Sequence, residues 1–167
     1  MVEYKKATRV LIDAMWDVNI ALHSDDKRWT KWRTEYTDYN ERGLADTFLA
    51  VVDGVPVGEC TVMYSPRCRA VRGRLVLADG EGVAHLNGLR VLTEHRGNGY
   101  ASGIMRAIEA HARSRGVHTL TLGVEEAMER NVAIYRHLGY TRLIAKVREE
   151  GREVLYLSKF IGAERTE

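Results

Sequence analysis

Residues 85–101, His85-Leu-Asn-Gly-Leu-Arg-Val-Leu-Thr-Glu-His-Arg96-Gly-Asn-Gly-Tyr-Ala101, constrain the fold more than any other stretch of this chain. An apolar run carrying Leu86, Leu89, Val91 and Leu92 enters a glycine-rich turn, and an amphipathic helix follows at once. Beyond the turn, Ala101, Ile104, Met105, Ile108 and Ala112 recur at helical spacing on one face. A strand, a glycine turn and a helix start together make an anion site, because free N–H groups and the positive end of the helix dipole converge there. A phosphorylated ligand is therefore expected at Gly97–Ala101.

The details of the turn narrow the ligand. The dinucleotide fingerprint G-x-G-x-x-G fits poorly, since Ser102 stands where the third glycine should be. The ATP-type phosphate loop fails, because no Gly-Lys-Ser/Thr follows. Arg96-Gly-Asn-Gly99-Tyr-Ala101 instead resembles the R/Q-x-x-G-x-G/A signature of the GNAT N-acetyltransferase superfamily. Downstream, Asn131-Val-Ala-Ile-Tyr135-Arg-His-Leu-Gly139-Tyr140 is similar in form to that family's Asn…Ala…Tyr-x-x-x-Gly-Phe/Tyr region, with the Tyr-x-x-x-Gly-Tyr spacing matched at Tyr135, Gly139 and Tyr140. The resemblance covers residues 85–143, with weaker agreement outside them. Two motifs in order, separated by one helix and one strand, are far more specific than either alone.

At 167 residues the chain suits one domain, residues 1–167, with enough surface to bury a core unaided. A net charge of +2 is too small to argue for nucleic acid or a membrane as the main partner. No apolar run approaches the roughly 18 residues that span a bilayer. Met1-Val-Glu-Tyr-Lys-Lys lacks the apolar segment of a secretory signal. Cys60 and Cys68 have no metal-type spacing, so a reducing, cytoplasmic setting is the simpler expectation.

Periodicity predicts a short strand at 2–7, then a helix carrying Val10, Leu11, Ala14, Met15, Val18 and Leu22. Ser24-Asp25-Asp26 ends that helix and caps the next, which bears Trp29, Trp32, Tyr36 and Tyr39 on one face and stops at Gly43. Such a stripe is more often core than a pocket wall for a ring or cation. Strands at 47–52 and 56–64 flank the hairpin signal Asp53-Gly54. Residues 65–82 read as an extended loop or hairpin arm around Leu75-Val-Leu77, with Arg67, Arg69, Arg72 and Arg74 as solvated surface first, and as a contact for an acidic acceptor or the 3′-phosphate of coenzyme A second. Then follow a strand at 84–92, a helix at 100–115, a strand at 117–124, a helix at 129–138, and strands at 141–147 and 153–158.

This order supports only a mixed α/β domain. The resemblance implies more: a central, mostly antiparallel sheet with a parallel, splayed strand pair at the cofactor site, flanked by helices. It implies acetyl-CoA as co-substrate, no metal, and transfer of the acetyl group to a primary amine of a small molecule or peptide; a homodimer is left open. In the GNAT pattern the pyrophosphate meets the backbone of Gly97, Asn98, Gly99, Tyr100, Ala101 and Ser102, with Arg96 adding charge. The pantetheine arm pairs with the main chain of Leu89, Arg90 and Val91, and Asn131 contacts the arm. Tyr135 matches the general acid for the departing thiolate. His85 stands where the family often has a glutamate base, and an imidazole is a competent base at neutral pH. The alternative reading for His85 is a residue facing the sheet's other side. Glu125 competes for the base, with Glu126 beside it more in the manner of a loop charge or a cap. Strand alternation would put His85, Asn87, Leu89 and Val91 on one face.

Two other functions compete. A non-catalytic acyl-CoA-binding regulatory domain would need neither His85 nor Tyr135. A nucleotide-binding module using the same turn would take ATP or NAD in place of coenzyme A.

Overall fold

A computed structural model describes residues 1–163; the last four residues of the expected 1–167 domain lie outside the described residues. The elements run β1 (Val2–Lys6), α1 (Arg9–Leu22), α2 (Arg28–Glu41), β2 (Ala45–Val52), β3 (Val55–Met63), β4 (Val83–Val91), α3 (Tyr100–Ser114), β5 (Thr119–Glu125), α4 (Glu129–His137), β6 (Arg142–Glu149) and β7 (Arg152–Phe160). A short 3-10 turn, Thr93–His95, precedes α3. Hydrogen-bonded neighbours follow the order β1-β2-β3-β4-β5-β7-β6. The fold is thus mixed α/β, with β4 and β5 parallel and the pairs β1–β2, β2–β3, β5–β7 and β6–β7 antiparallel.

The chain groups into two compact units: Met1–Met63 with Gly88–Ile108, and Tyr64–Asn87 with the residues from Glu109 onward. In the first unit, β2 and β3 form the hairpin expected around Asp53-Gly54, both at positive φ (49° and 81°). Positive φ at both central residues matches the turn's twist to that of the strands. Both strands are buried almost throughout, which explains their near-continuous apolar runs in place of alternation. Thr8 caps α1 by accepting the Leu11 N–H, and Asp26 accepts the Arg28 N–H at 3.0 Å where α2 begins. The apolar face of α1 divides between two clusters. Met15 packs with Leu49 and Val51. Ile12 and Trp16 pack with Trp29 of α2, and Trp32 and Tyr36 lie against them half-buried. The front of the aromatic stripe is therefore core.

In the second unit, β4 pairs with β5 from Val83↔Thr119 to Leu86↔Leu122 and no further. Among the described residues, Leu89–Val91 of β4 have no register partner on β5. Residues 65–82 form a run of tight turns with no hairpin, because Cys68, Val71, Leu77 and Ala78 are all buried and draw the chain inward. Arg74, expected as solvated surface, is drawn in with them. It pairs with Glu149 at 2.7 Å, bonds the Tyr156 hydroxyl and lies over that ring. Cys60 and Cys68 are buried thiols. Among the described residues no helix is long and apolar enough to cross a membrane.

Candidate active site

The turn between β4 and α3 belongs to the first unit, and its local chemistry explains its shape. Gly97 and Gly99 adopt φ of 82° and 76°, the left-handed region that only glycine enters without strain. Arg96 donates its Nε–H to the Val91 carbonyl at 3.0 Å, and the Asn98 side-chain amide donates to the His95 carbonyl at 3.0 Å. Both bonds pin the turn from within. The helix begins with Gly103 N–H donating to the Gly99 carbonyl, so the N–H groups of Tyr100, Ala101 and Ser102 fall in the first turn, where a helix has no internal acceptor for them. Among the described residues no acceptor takes the backbone N–H of Gly97, Asn98 or Gly99 either. A Cβ built on Gly97 or Gly99 would meet no protein atom within 4 Å. Internal crowding therefore does not demand these glycines. Their φ does, and they leave a row of N–H groups open to something outside the chain, with the dipole of a 15-residue helix behind it.

Just before the turn, Leu89, Arg90 and Val91 are half-buried in β4. Gly88 interrupts the extended strand with a φ of 71°. The alternation expected to align His85 and Asn87 with Leu89 and Val91 does not carry through it, because a left-handed residue reorients the side chains that follow. The glycine itself was the signal for this kink. On the far side of it the Arg90 side chain reaches Glu59 of β3, Nη2 to Oε1 at 2.9 Å. The other Glu59 oxygen accepts the Asn19 amide at 2.6 Å, and both partners are buried. Sequence reasoning missed this cluster, although a carboxylate in the apolar run Val57-Gly-Glu59-Cys-Thr-Val62 marks an unusual position.

The remaining expected site residues lie in the second unit. Asn131 and Tyr135 sit one turn apart on α4, both half-buried. The helix ends as Gly139 takes φ 101° and Tyr140 N–H bonds the Tyr135 carbonyl at 3.0 Å. Glu125, at the end of β5, is held by Arg152 at 2.6 Å, and Glu126 by Lys146 at 2.9 Å. His85 is buried, and its Nδ1 lies 2.8 Å from the Thr121 hydroxyl. That hydroxyl donates its proton to the Leu77 carbonyl at 2.8 Å. Thr121 therefore accepts from His85, which places the imidazole proton on Nδ1 and leaves Nε2 as the lone-pair nitrogen. Burial first, and the nearby Arg74 charge second, push the imidazole pKa down to about 4. A proton-acceptor limb carried by His85 moves from pH 6–7 toward that value.

A stability prediction follows from His85. The ordinary value is 6.5 and the folded value about 4, so the unfolded chain takes up this proton first as the pH falls. The stability contributed by the neutral imidazole is complete above pH 6.5 and is lost as the pH drops toward 4, at about 1.4 kcal/mol per pH unit. Between pH 7 and 4.5 the wild type should lose about 2–3 kcal/mol more than His85→Gln in urea titrations. Parallel curves would mean that the ring is hydrated in solution.

The fold is mixed α/β, with an N–H row lacking an acceptor among the described residues between a strand and a helix. The family model for the acetyltransferase (GNAT) family matches residues 10–140, and the chain belongs to that family. Solved structures share the fold. An aminoglycoside 6'-N-acetyltransferase complexed with coenzyme A is 17% identical, with 99% of each chain covered and a TM-score of 0.71. A Salmonella typhimurium protein solved with its cofactor acetyl-CoA is 14% identical over 100% of this chain and 98% of that one, at a TM-score of 0.73. A ribosomal-protein-alanine N-acetyltransferase from Brucella melitensis is 17% identical, with 95% and 99% covered and a TM-score of 0.71. A search of curated protein sequences gives no significant match. Among the described residues no three His, Cys, Asp or Glu side chains could hold a metal ion together.

Proposed function

We propose that this chain is a single-domain N-acetyltransferase that moves the acetyl group of acetyl-CoA directly to a primary amine of a small molecule or peptide. The observation that carries this reading is the unaccepted N–H row at Gly97–Ser102, in a chain of the acetyltransferase (GNAT) family. A pyrophosphate suits that row: it is anionic, offers several oxygens, and approaches where the glycines leave space. Arg96 adds a positive charge beside it. The main chain of Leu89–Val91, without a β5 partner, pairs with the pantetheine arm like an added strand, and Asn131 bonds the same arm. The coenzyme complexes solved for proteins of this fold support the assignment.

The transfer needs two proton movements. A protonated alkylamine must first lose a proton, to Nε2 of His85 directly or through water, or to Glu125. The amine nitrogen then bonds the acetyl carbon as the thioester C–S bond breaks, and Tyr135 gives its phenolic proton to the sulfur. The nitrogen, cationic once bonded to the acetyl carbon, gives up its second proton, which restores the Tyr135 phenolate directly or through water; the neutral amide and free coenzyme A leave, and the base returns its proton to solvent. Thermal-shift measurements with coenzyme A, ATP and NAD test the ligand, and thiol release from acetyl-CoA over an amine panel tests the reaction. Protection by coenzyme A with amine-dependent thiol release is expected. Protection by ATP or NAD alone would sink the reading, and coenzyme A protection without any transfer would leave a binding domain.

A further inference from the structure

Arg90 carries a guanidinium that the proposed chemistry does not use. Its side chain is 31% exposed, while that of Glu59, its ion-pair partner, is 2% exposed. The guanidinium lies 5.7 Å from the Trp16 ring centroid and 5.0 Å from that of Trp29, so indoles flank it. A guanidinium offers five N–H donors in a planar fork. Among the described residues Arg90 has one hydrogen bond, from Nη2 to Glu59, and its buried Nε has no acceptor. Leaving a donor of a charged group orphaned in a partly desolvated place is costly and calls for a reason. The carboxylate behind it is closed to a ligand, because Arg90 takes one oxygen and the Asn19 amide the other. Tyr36, packed on Trp16, stays a neutral phenol because burial raises its pKa. Nε is closed to a ligand by its burial, so the polar group that this cluster presents outward is the terminal edge of the half-exposed guanidinium, Nη1 and Nη2, which keeps N–H donors beyond the one given to Glu59.

We infer that the acceptor carries a carboxylate, and that Arg90 binds it. This rests on the N-acetyltransferase reading, in which the main chain on either side of Arg90 carries the pantetheine arm. A planar carboxylate matches a guanidinium edge with two parallel hydrogen bonds. The half-buried Trp32 and Tyr36 supply apolar surface for the rest of the molecule. The acceptor class is thus an amino acid or short peptide with a free carboxylate, as opposed to a polycation. A polycationic acceptor would meet the exposed arginine and find the Glu59 charge out of reach.

The test uses matched pairs: amino acids and dipeptides, each against its own carboxamide, with kanamycin as the polycation. A carboxamide's amine is less basic than the acid's, hence more reactive at neutral pH, so a preference for the acid cannot come from the amine. The wild type should favour the acid by roughly 10- to 100-fold in kcat/KM, the range for a charged hydrogen-bond pair. The amino-acid and dipeptide arms tell the two sources apart. In Arg90→Gln the acid-to-amide ratio should fall to near one, and in Arg90→Lys, which keeps charge without the fork, it should be intermediate. A merely structural arginine would change overall rates without moving this ratio. Amides or kanamycin preferred over acids, or an unchanged ratio in Arg90→Gln, would overturn the inference while acetyl-CoA binding still stood. If no pair is turned over, N-acetyl amino acids and their amides are compared as ligands of the wild type by thermal shift with coenzyme A present. Equal protection there also overturns it. Loss of acetyl-CoA binding in calorimetry would instead remove the reading beneath.

Discussion

Gly99→Val is expected to raise the dissociation constant for acetyl-CoA by at least about 100-fold, the scale of losing one or two hydrogen bonds to a charged group. Two effects combine. Valine at a φ of 76° is strained, by about 1–3 kcal/mol for a residue in a sparsely populated region. Its side chain also fills the space in front of the N–H row, where a built Cβ meets no protein atom within 4 Å. The fold has room for the new side chain, so melting temperature reports the strain and calorimetry reports the blocked approach. Arg96→Ala should weaken binding less, by about 10-fold or somewhat more, because one charge is lost and the row remains. Unchanged affinity in both variants would place the phosphates elsewhere.

Tyr135→Phe is expected to keep acetyl-CoA affinity and lose roughly 10- to 1000-fold in turnover, the range for removing one general acid that water partly replaces. The variant removes a single hydroxyl from a half-buried ring, so packing on α4 changes little. The two outcomes separate cleanly: a packing role would show in stability, a proton-donor role in the chemical step. Equal turnover in both proteins, with chemistry shown to be rate-limiting, would leave Tyr135 as packing alone.

Much of the fold was legible because its signals are local. Helical spacing marked α1, α2 and α3, and positive-φ residues stood at the sequence's own turn signals: Asp53-Gly54, Gly97, Gly99 and Gly139. The strand–turn–helix at 85–101 needed no distant partner to be recognised, since its shape is dictated by glycine conformations and by where a helix starts. Gly88 was equally visible, yet reading the strand by strict alternation passed over it. That error concerned side-chain direction on β4, where one left-handed residue undoes the period of two.

Charge environments were not legible, because they depend on residues far apart in sequence. His85 becomes a neutral, weakly basic imidazole because burial keeps water from it and the Arg74 charge lies nearby, while the Leu77 carbonyl, by taking the Thr121 proton, sets its tautomer. Arg74 leaves the expected solvated arm because Glu149 and Tyr156 meet it across the second unit. Arg90, Glu59 and Asn19 come from β4, β3 and α1. By itself the sequence determined the helices and strands, their order and the glycine turn before α3, all of which follow from local backbone preference and periodicity. Tertiary structure alone decided which charges were buried, which were paired and which donors were left open, because desolvation and ion pairing act between elements that only folding brings together.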